Sequence, residues 1–316
     1  MGMRSKMAGA MCILVGGTLL YAATPIQVWQ KTYSGGKSER LHSVRPTNDG
    51  GYILCGSTES VSDGEEDVLL LKTDSNGERQ WFKTFGAQWS DVGYCAIQTN
   101  DGGYVVVGVT IKGNEGTESI FVRRTDGNGN MVCTKNIGGG EQDIAYSIDQ
   151  SVDGGFIIAG WTRSQGSNGS ALLVKLNNAG DQEWVQMFGG TEWDAFYSVS
   201  QTGDNGYIAA GETKSVGRGG SDALLCKVDE NGSRQWMETF GKRQDESGFC
   251  AAQTADGGYI LVGKTTAYDS EHDDEDILLI KTDAHGSEEW AREYGGNCPD
   301  VGYYVEQTTD GGYLMC

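Results

Sequence analysis

Proline is nearly absent from this 316-residue chain, at 3 residues, and histidine is equally scarce, at 3. Low proline beside 49 glycines argues against a disordered Gly/Pro-rich chain. Three histidines leave little material for a His-built metal centre or a Ser-His-Asp relay, and His42 and His285 fall at turn or strand-start positions. Positive charge is short as well: 24 Lys and Arg face 44 Asp and Glu, for a net charge of −20. Such a field repels phosphate backbones and anionic lipid, which excludes nucleic acid as a partner class. The eight cysteines contain no C-x-x-C and no metal-like spacing. Cys55, Cys226 and Cys316 lie in apolar strand patterns, as small hydrophobes do, and Cys95 and Cys250 recur at one repeat position. No helical period of convincing length appears, and no apolar run beyond residue 24 is long enough to span a bilayer.

Residues 1–24 read as a secretory signal. Arg4 and Lys6 form the basic start, Met7 to Leu20 is apolar, and Tyr21-Ala22-Ala23-Thr24 offers small residues for cleavage. Residues 25–316 read as one repeat domain. The stretch Asp256-Gly257-Gly258-Tyr259-Ile260-Leu261-Val262-Gly263 recurs along the chain, with its aromatic at 52, 104, 156, 207, 259 and 313, a period of 51 to 54 residues. A fixed period of this size means a propeller, solenoid or array.

Each repeat carries four strand signals. A Trp strand begins at Trp29, Trp81, Trp184, Trp236 and Trp290, with Cys133 at that place in the third. An inner strand such as Tyr197–Thr202 follows, then the Gly-Gly-Tyr strand, then a Leu-Leu strand such as Asp67–Asp74. Asp-Gly-Gly and Asp-x-Asn-Gly connections supply residues that tolerate positive φ in tight hairpins. The connection before the Leu-Leu strand varies most, from Ser62–Glu66 to the long acidic Asp269–Glu275, which places variable loops on a constant scaffold. Four short antiparallel strands per unit, apolar on both faces, predict an all-β β-propeller of four-stranded blades. Each Trp ring is expected to pack between blades, contributing on the order of 2–3 kcal/mol, and Cys133 to loosen its own. With the Trp29 strand as the outer strand of the last blade, five complete blades cover 39–86, 91–138, 143–190, 194–241 and 245–295, and a sixth begins near Asp300 and is truncated at Cys316.

The pattern Gly-Gly-Tyr-Ile-x-x-Gly-x-Thr, then Asp-x-Leu-Leu-x-Lys-x-Asp-x-x-Gly-x-x-x-Trp, then Phe-Gly-Gly, resembles the secreted bacterial and archaeal β-propeller repeats known as SBBP repeats. Ser170, Leu172, Leu173, Lys175, Gly180, Trp184, Phe188, Gly189 and Gly190 carry its tail, and the likeness runs from about 28 to 316. Cys133, Asn177 and Asn205 depart from it. The resemblance implies a secreted or cell-surface scaffold with no catalytic residues.

Candidate sites are few. Asp91, Asp143, Asp194, Asp245 and Asp300 precede the inner strands, and their repetition in every blade argues for a structural hydrogen bond. Asp74 with Asn76, or Asp126 with Asn128, supplies too few oxygens for Ca²⁺. The acidic loop holding Asp273, Asp274 and Asp276 is the better cation candidate, against a reading as a solvated charge run. No cofactor is expected apart from such a Ca²⁺. Trp89 and Trp193 lie in loops outside the repeated pattern, where aromatics stack on sugar rings or anchor a partner, whereas Trp161 reads as blade packing. The expected function is a non-catalytic, monomeric scaffold, secreted or at the cell surface, that binds a glycan or a surface protein. The alternative is a propeller enzyme of quinoprotein-dehydrogenase or carbohydrate-active type, for which no symmetry-breaking constellation is visible.

Overall fold

The computed structural model describes residues 13–15, 29–61, 65–86, 88–112, 117–138, 141–164, 168–242, 244–266 and 275–316. After a short strand β1 (Ile13–Val15), five four-stranded antiparallel sheets follow in strict chain order. They comprise β2–β5 (Glu39–Pro46, Tyr52–Thr58, Asp67–Thr73, Arg79–Phe85), β6–β9 (Ser90–Gln98, Tyr104–Lys112, Thr117–Thr125, Met131–Ile137) and β10–β13 (Asp143–Gln150, Phe156–Thr162, Ser170–Leu176, Gln182–Phe188). The fourth and fifth are β14–β17 (Asp194–Gln201, Tyr207–Thr213, Asp222–Val228, Arg234–Phe240) and β18–β21 (Glu246–Gln253, Tyr259–Thr266, Glu275–Thr282, Glu288–Tyr294). A sixth sheet holds β22 (Val305–Gln307) and β23 (Tyr313–Met315), with β1 paired antiparallel to β23. The chain is a β-propeller, and its blades follow the order inner, Gly-Gly-Tyr, Leu-Leu, Trp strand.

Apolar residues on both faces of the middle strands leave no single core. Separate buried clusters straddle the blade junctions instead. Ile53, Cys55, Val68 and Leu70 meet Val106 and Phe121, and the same pairing recurs at each later junction. The Trp of one blade packs edge-on against the hairpin aromatic of the next: Trp81 on Tyr104 at 5.5 Å, Trp184 on Tyr207 at 6.1 Å, Trp236 on Tyr259 at 5.4 Å and Trp290 on Tyr313 at 5.9 Å. Trp29 packs on Tyr52 in the same way, at 5.9 Å. Its indole N–H donates to Ser75 O at 3.2 Å, as that of Trp184 donates to Glu230 O. The segment from Trp29 therefore sits where the outer strand of a blade preceding the first belongs.

The Asp-Gly-Gly hairpin has two distinct glycine requirements. The first glycine takes φ of about +80 to +85 at Gly50, Gly102, Gly154, Gly257 and Gly311, and Asn205 takes +67 in the one repeat without it. The second cannot carry a Cβ: at Gly51 it would lie 2.1 Å from Thr73 O and 2.7 Å from Lys72 Nζ. That lysine is the reason for the crowding. Lys72, Lys175, Lys227 and Lys281 are almost fully buried and reach the hairpin aspartates Asp49, Asp153, Asp204 and Asp256 at 2.8–2.9 Å. A buried ammonium needs such a counter-charge and full hydrogen bonding, so the aspartate is both turn former and ion-pair partner.

The repeated acid before the inner strand is structural, as expected. Thr110 and Thr213 hydroxyls donate to Asp91 and Asp194, and Gly190 N–H donates to Asp194 at 3.0 Å. In the fifth blade the register position belongs to Glu246, which accepts from Thr265 at 3.0 Å, and not to Asp245. Asp245 accepts from Ser221 N–H at 2.9 Å instead.

Candidate functional site at the channel mouth

Every complete inner strand has one irregularity, and it falls at the same place. Register shifts lie between Leu41 and Ser43, Gly93 and Cys95, Ala145 and Ser147, Phe196 and Ser198, and Gly248 and Cys250. The extra residue at each bulge is His42, Tyr94, Tyr146, Tyr197 or Phe249. A bulge turns its extra side chain out of the ladder. Inner strands are neighbours around the centre, so these rings meet. His42–Tyr94, Tyr94–Tyr146, Tyr146–Tyr197 and Tyr197–Phe249 centroids are 5.1, 5.2, 5.3 and 5.3 Å apart. Tyr303 extends the arc at 5.2 Å from Phe249. The arc sits near the start of the inner strands, the end of the channel away from the Asp-Gly-Gly hairpins and on the side of the variable loops.

The arc is quasi-symmetric, but what surrounds it is not. One register position, opposite the second or third residue of each inner strand, holds Ser57, Val109, Trp161, Glu212 and Lys264 in the five blades. Trp161 donates its indole N–H to Tyr146 Oη at 3.2 Å and lies 6.3 Å from Trp193, which lies 6.5 Å from Tyr197. Arg163 stacks over Trp161 and Lys214 over Trp193. Glu212 accepts from Tyr197 Oη at 3.4 Å and from Ser247 Oγ at 2.7 Å. Lys264 pairs with Glu275 at 2.5 Å. Burial pushes the Tyr146 phenol up to about 12 and raises that of Tyr197 further, with Glu212 beside it. Both hydroxyls stay protonated, and that of Tyr197 is already engaged with Glu212. Burial also raises the Glu118 carboxyl and lowers the His42 imidazole, so the mouth is a partly dehydrated surface.

The residues singled out in the sequence are distributed differently from one another. Trp193 belongs to the mouth, packed among Trp161, Tyr197 and Lys214. Trp89 is 39% exposed in the loop between β5 and β6, and among the described residues no ring contact joins it to Trp193. Trp161, read from sequence as blade packing, is 8% exposed and does pack, yet it also holds Tyr146 and Trp193 in the arc. Asp273 and Asp274 lie outside the described residues. Asp276 is in β20 opposite Thr265, at the register of Asp67 and Asp222, with its carboxylate against Gly295 and not in the acidic loop. Among the described residues no three His, Cys, Asp or Glu side chains converge as metal ligands do. Sequence reading missed the bulge aromatics, although their signal was available: an aromatic recurs three residues after Asp91, Asp143, Asp194 and Asp300.

No protein-family model matches the chain. It is 25% identical over 233 residues to the regulatory protein FlaEY of Caulobacter vibrioides, which covers 66% of this chain and 22% of that protein. The chain thus spans about a fifth of that relative's length. Among solved structures it is similar to the Pan2 WD40 domain of Neurospora crassa, with a TM-score of 0.51 at 10% identity over 88% of this chain and 89% of that one. It is also similar to puromycin hydrolase, with a TM-score of 0.51 at 14% identity over 80% of this chain and 39% of that one. At such identities the likeness is one of fold, the β-propeller. No helix among the described residues is long and apolar enough to cross a membrane.

Proposed function

We propose that this chain is a non-catalytic binding propeller of the secreted, SBBP-repeat type, which holds a glycan or protein partner at the mouth of its channel. The observation that carries the reading is the broken symmetry there. An arc of stacked aromatics recurs from blade to blade, while the adjoining register position changes through Ser57, Val109, Trp161, Glu212 and Lys264. A scaffold that only had to close would have no need to vary that one position. Flat ring faces, protonated phenols and a few charges suit a ligand with apolar faces edged by hydroxyl or amide groups. Secretion and a cell-surface location follow from the leader pattern of residues 1–24 and belong to the same proposal.

The test is a capture assay on glycan arrays and on surface extracts, with Trp193→Ala and Trp89→Ala. Trp193→Ala is expected to weaken capture about tenfold or more, as loss of a central aromatic anchor does, with the variant still folding cooperatively. Trp89→Ala is expected to act only if the partner reaches the outer loops. Capture by both variants at the parental level removes the mouth as the site.

A further inference from the structure

Three residues past each bulge aromatic, the inner strands carry a second register position that breaks the symmetry. It holds Arg45, Ile97, Asp149, Ser200, Ala252 and Glu306 in successive blades. At the rise of a strand this level lies about 10 Å deeper in the channel than the arc. Arg45 shares a strand face with Ser43, whose Oγ accepts from Ala96 N–H of the second blade at 3.2 Å. Its side chain is long enough to cross from there: the guanidinium carbon lies 5.5 Å over the ring of Tyr304 in the sixth blade. Burial works against its charge, while Cys95, Tyr304, Cys250 and Asp149, from four other blades, work for it, and the guanidinium stays ionised.

The other cations at depth are paired. The four buried lysines have their hairpin aspartates, and Arg123 has Asp91 at 2.7 Å. Among the described residues the Arg45 guanidinium has no ion pair and gives no hydrogen bond to the protein, in a chain of 44 acids. The two acids at its own level are engaged elsewhere. Asp149 accepts from Gln201 N–H at 3.1 Å and from Gln150 N–H at 2.9 Å, and Glu306 accepts from Tyr304 Oη at 2.9 Å. A guanidinium offers five N–H donors in a rigid fork, and a half-buried polar group of that kind is ordinarily satisfied.

We propose that the middle of the channel is an anion site in which Arg45 takes the carboxylate of a small acidic ligand. Two parallel N–H groups of the fork match the two oxygens of a carboxylate. Asp149 and Glu306 at the same level oppose a second negative charge, which selects a monoanion over sulfate or phosphate. Ile97, Ala252 and the buried thiols of Cys95 and Cys250 suit a short carbon stem. The site goes beyond the mouth reading and does not need it. Its carboxylate is either that of a free acid or that of an acidic sugar seated in the arc above, and the test separates the two.

The probe is carboxyl-¹³C acetate, whose NMR line broadening is followed on titration of the full chain at constant ionic strength. Broadening is expected to saturate with the parent and to vanish with Arg45→Gln. Arg45→Lys, which keeps the charge and loses the fork, should weaken binding about fivefold. Asp149→Asn leaves Arg45 in place and should tighten binding roughly threefold, because one opposing charge is gone. Cooperative melts establish that each variant is folded. Trp193→Ala should leave acetate binding unchanged, so a failure at the mouth and a failure here are told apart. Glucuronate that binds about tenfold tighter than acetate, and loses that margin in Trp193→Ala, puts the carboxylate on a mouth-bound sugar; equal strengths make the ligand a free acid. No saturation with the parent, parental binding by folded Arg45→Gln, no change with Asp149→Asn, or full displacement of acetate by equimolar sulfate overturns the proposal.

Discussion

Arg124 shows how one residue covers for another. It stands at the register of the buried lysines and pairs with Asp101 at 2.8 Å. Its guanidinium also lies 5.9 Å over Phe156 and donates to Asn178 O at 2.7 Å. That carbonyl belongs to the turn position that the Trp29 and Trp184 indoles use elsewhere. Arg124 therefore does the work of both the lysine and the tryptophan that Cys133 replaces, and the loosening expected from Cys133 alone is offset by a flat, cationic ring cover. Arg124→Lys and Cys133→Trp are each expected to cost about 1–2 kcal/mol, one by uncovering Phe156 and the other by crowding the guanidinium. The double variant should recover at least half of the summed loss, because the residues share one space. Urea melts of the four proteins measure this, and additive losses dispose of the compensation. Sequence reading could see Cys133 as a departure. It could not see the compensation, because Arg124 and Phe156 are neighbours only across a blade junction.

At the scale of the element, the hairpin is a latch between blades as well as a turn. The backbone N–H of Asn48, Asn100, Val152, Gly203 and Ala255 donates to the side-chain oxygen of Gln98, Gln150, Gln201, Gln253 and Gln307 in the following blade, at 2.7–2.9 Å. Gln201 also donates to Asn205 O of its own hairpin at 3.3 Å, so one amide ties two hairpins together. Gln201→Ala is expected to destabilise by about 1 kcal/mol, the usual net value of a hydrogen bond with one group left behind. Hydrogen exchange of the Val152 amide should quicken, while that of the Asn100 amide in a neighbouring latch stays unchanged. Uniform quickening across all hairpins argues for global loosening and against a local latch. The hairpins themselves were legible in the sequence, because Asp-Gly-Gly dictates a turn. The partner of each was not, since the glutamine that closes the latch lies 49 to 52 residues away.

For the whole molecule, acidity and burial pull stability in opposite directions with pH. The Thr254 hydroxyl and the Lys281 ammonium hold the Asp256 carboxyl at about 2, and Thr202 and Lys227 hold Asp204 at about 2 despite partial burial. A depressed carboxyl contributes stability that is present above its unfolded value and is lost as pH falls towards its folded one. Asp222 and Glu246 behave in the other sense: burial raises both, and their negative charges face each other across a blade junction. Their contribution grows as pH falls through their folded values and is lost as pH rises. The net charge of −20 adds self-repulsion at neutral pH. The melting temperature is therefore expected to rise as pH falls from neutral through the raised values of Asp222 and Glu246, and to fall at lower pH, where the hairpin aspartates take up protons between 3.8 and about 2. Scanning calorimetry in constant moderate salt tests this. A monotonic fall from pH 7 downward means that the buried pair contributes nothing measurable.

The sequence by itself determined the architecture. A 51-to-54-residue period, Asp-Gly-Gly turns and strands apolar on both faces leave few solutions other than stacked four-stranded blades, because such strands must be covered twice and such turns permit only hairpins. It also located Trp193 in a loop before an inner strand, and Trp29 at the repeat position of the outer-strand tryptophans, where it packs on Tyr52. The tertiary structure alone decided what meets across blades: the arc from His42 to Tyr303, the glutamine latches and the cover of Phe156 by Arg124. These contacts join residues that are distant along the chain. Local periodicity specifies which strand a residue occupies and which face it lies on, and only the packing of blade on blade specifies what stands opposite.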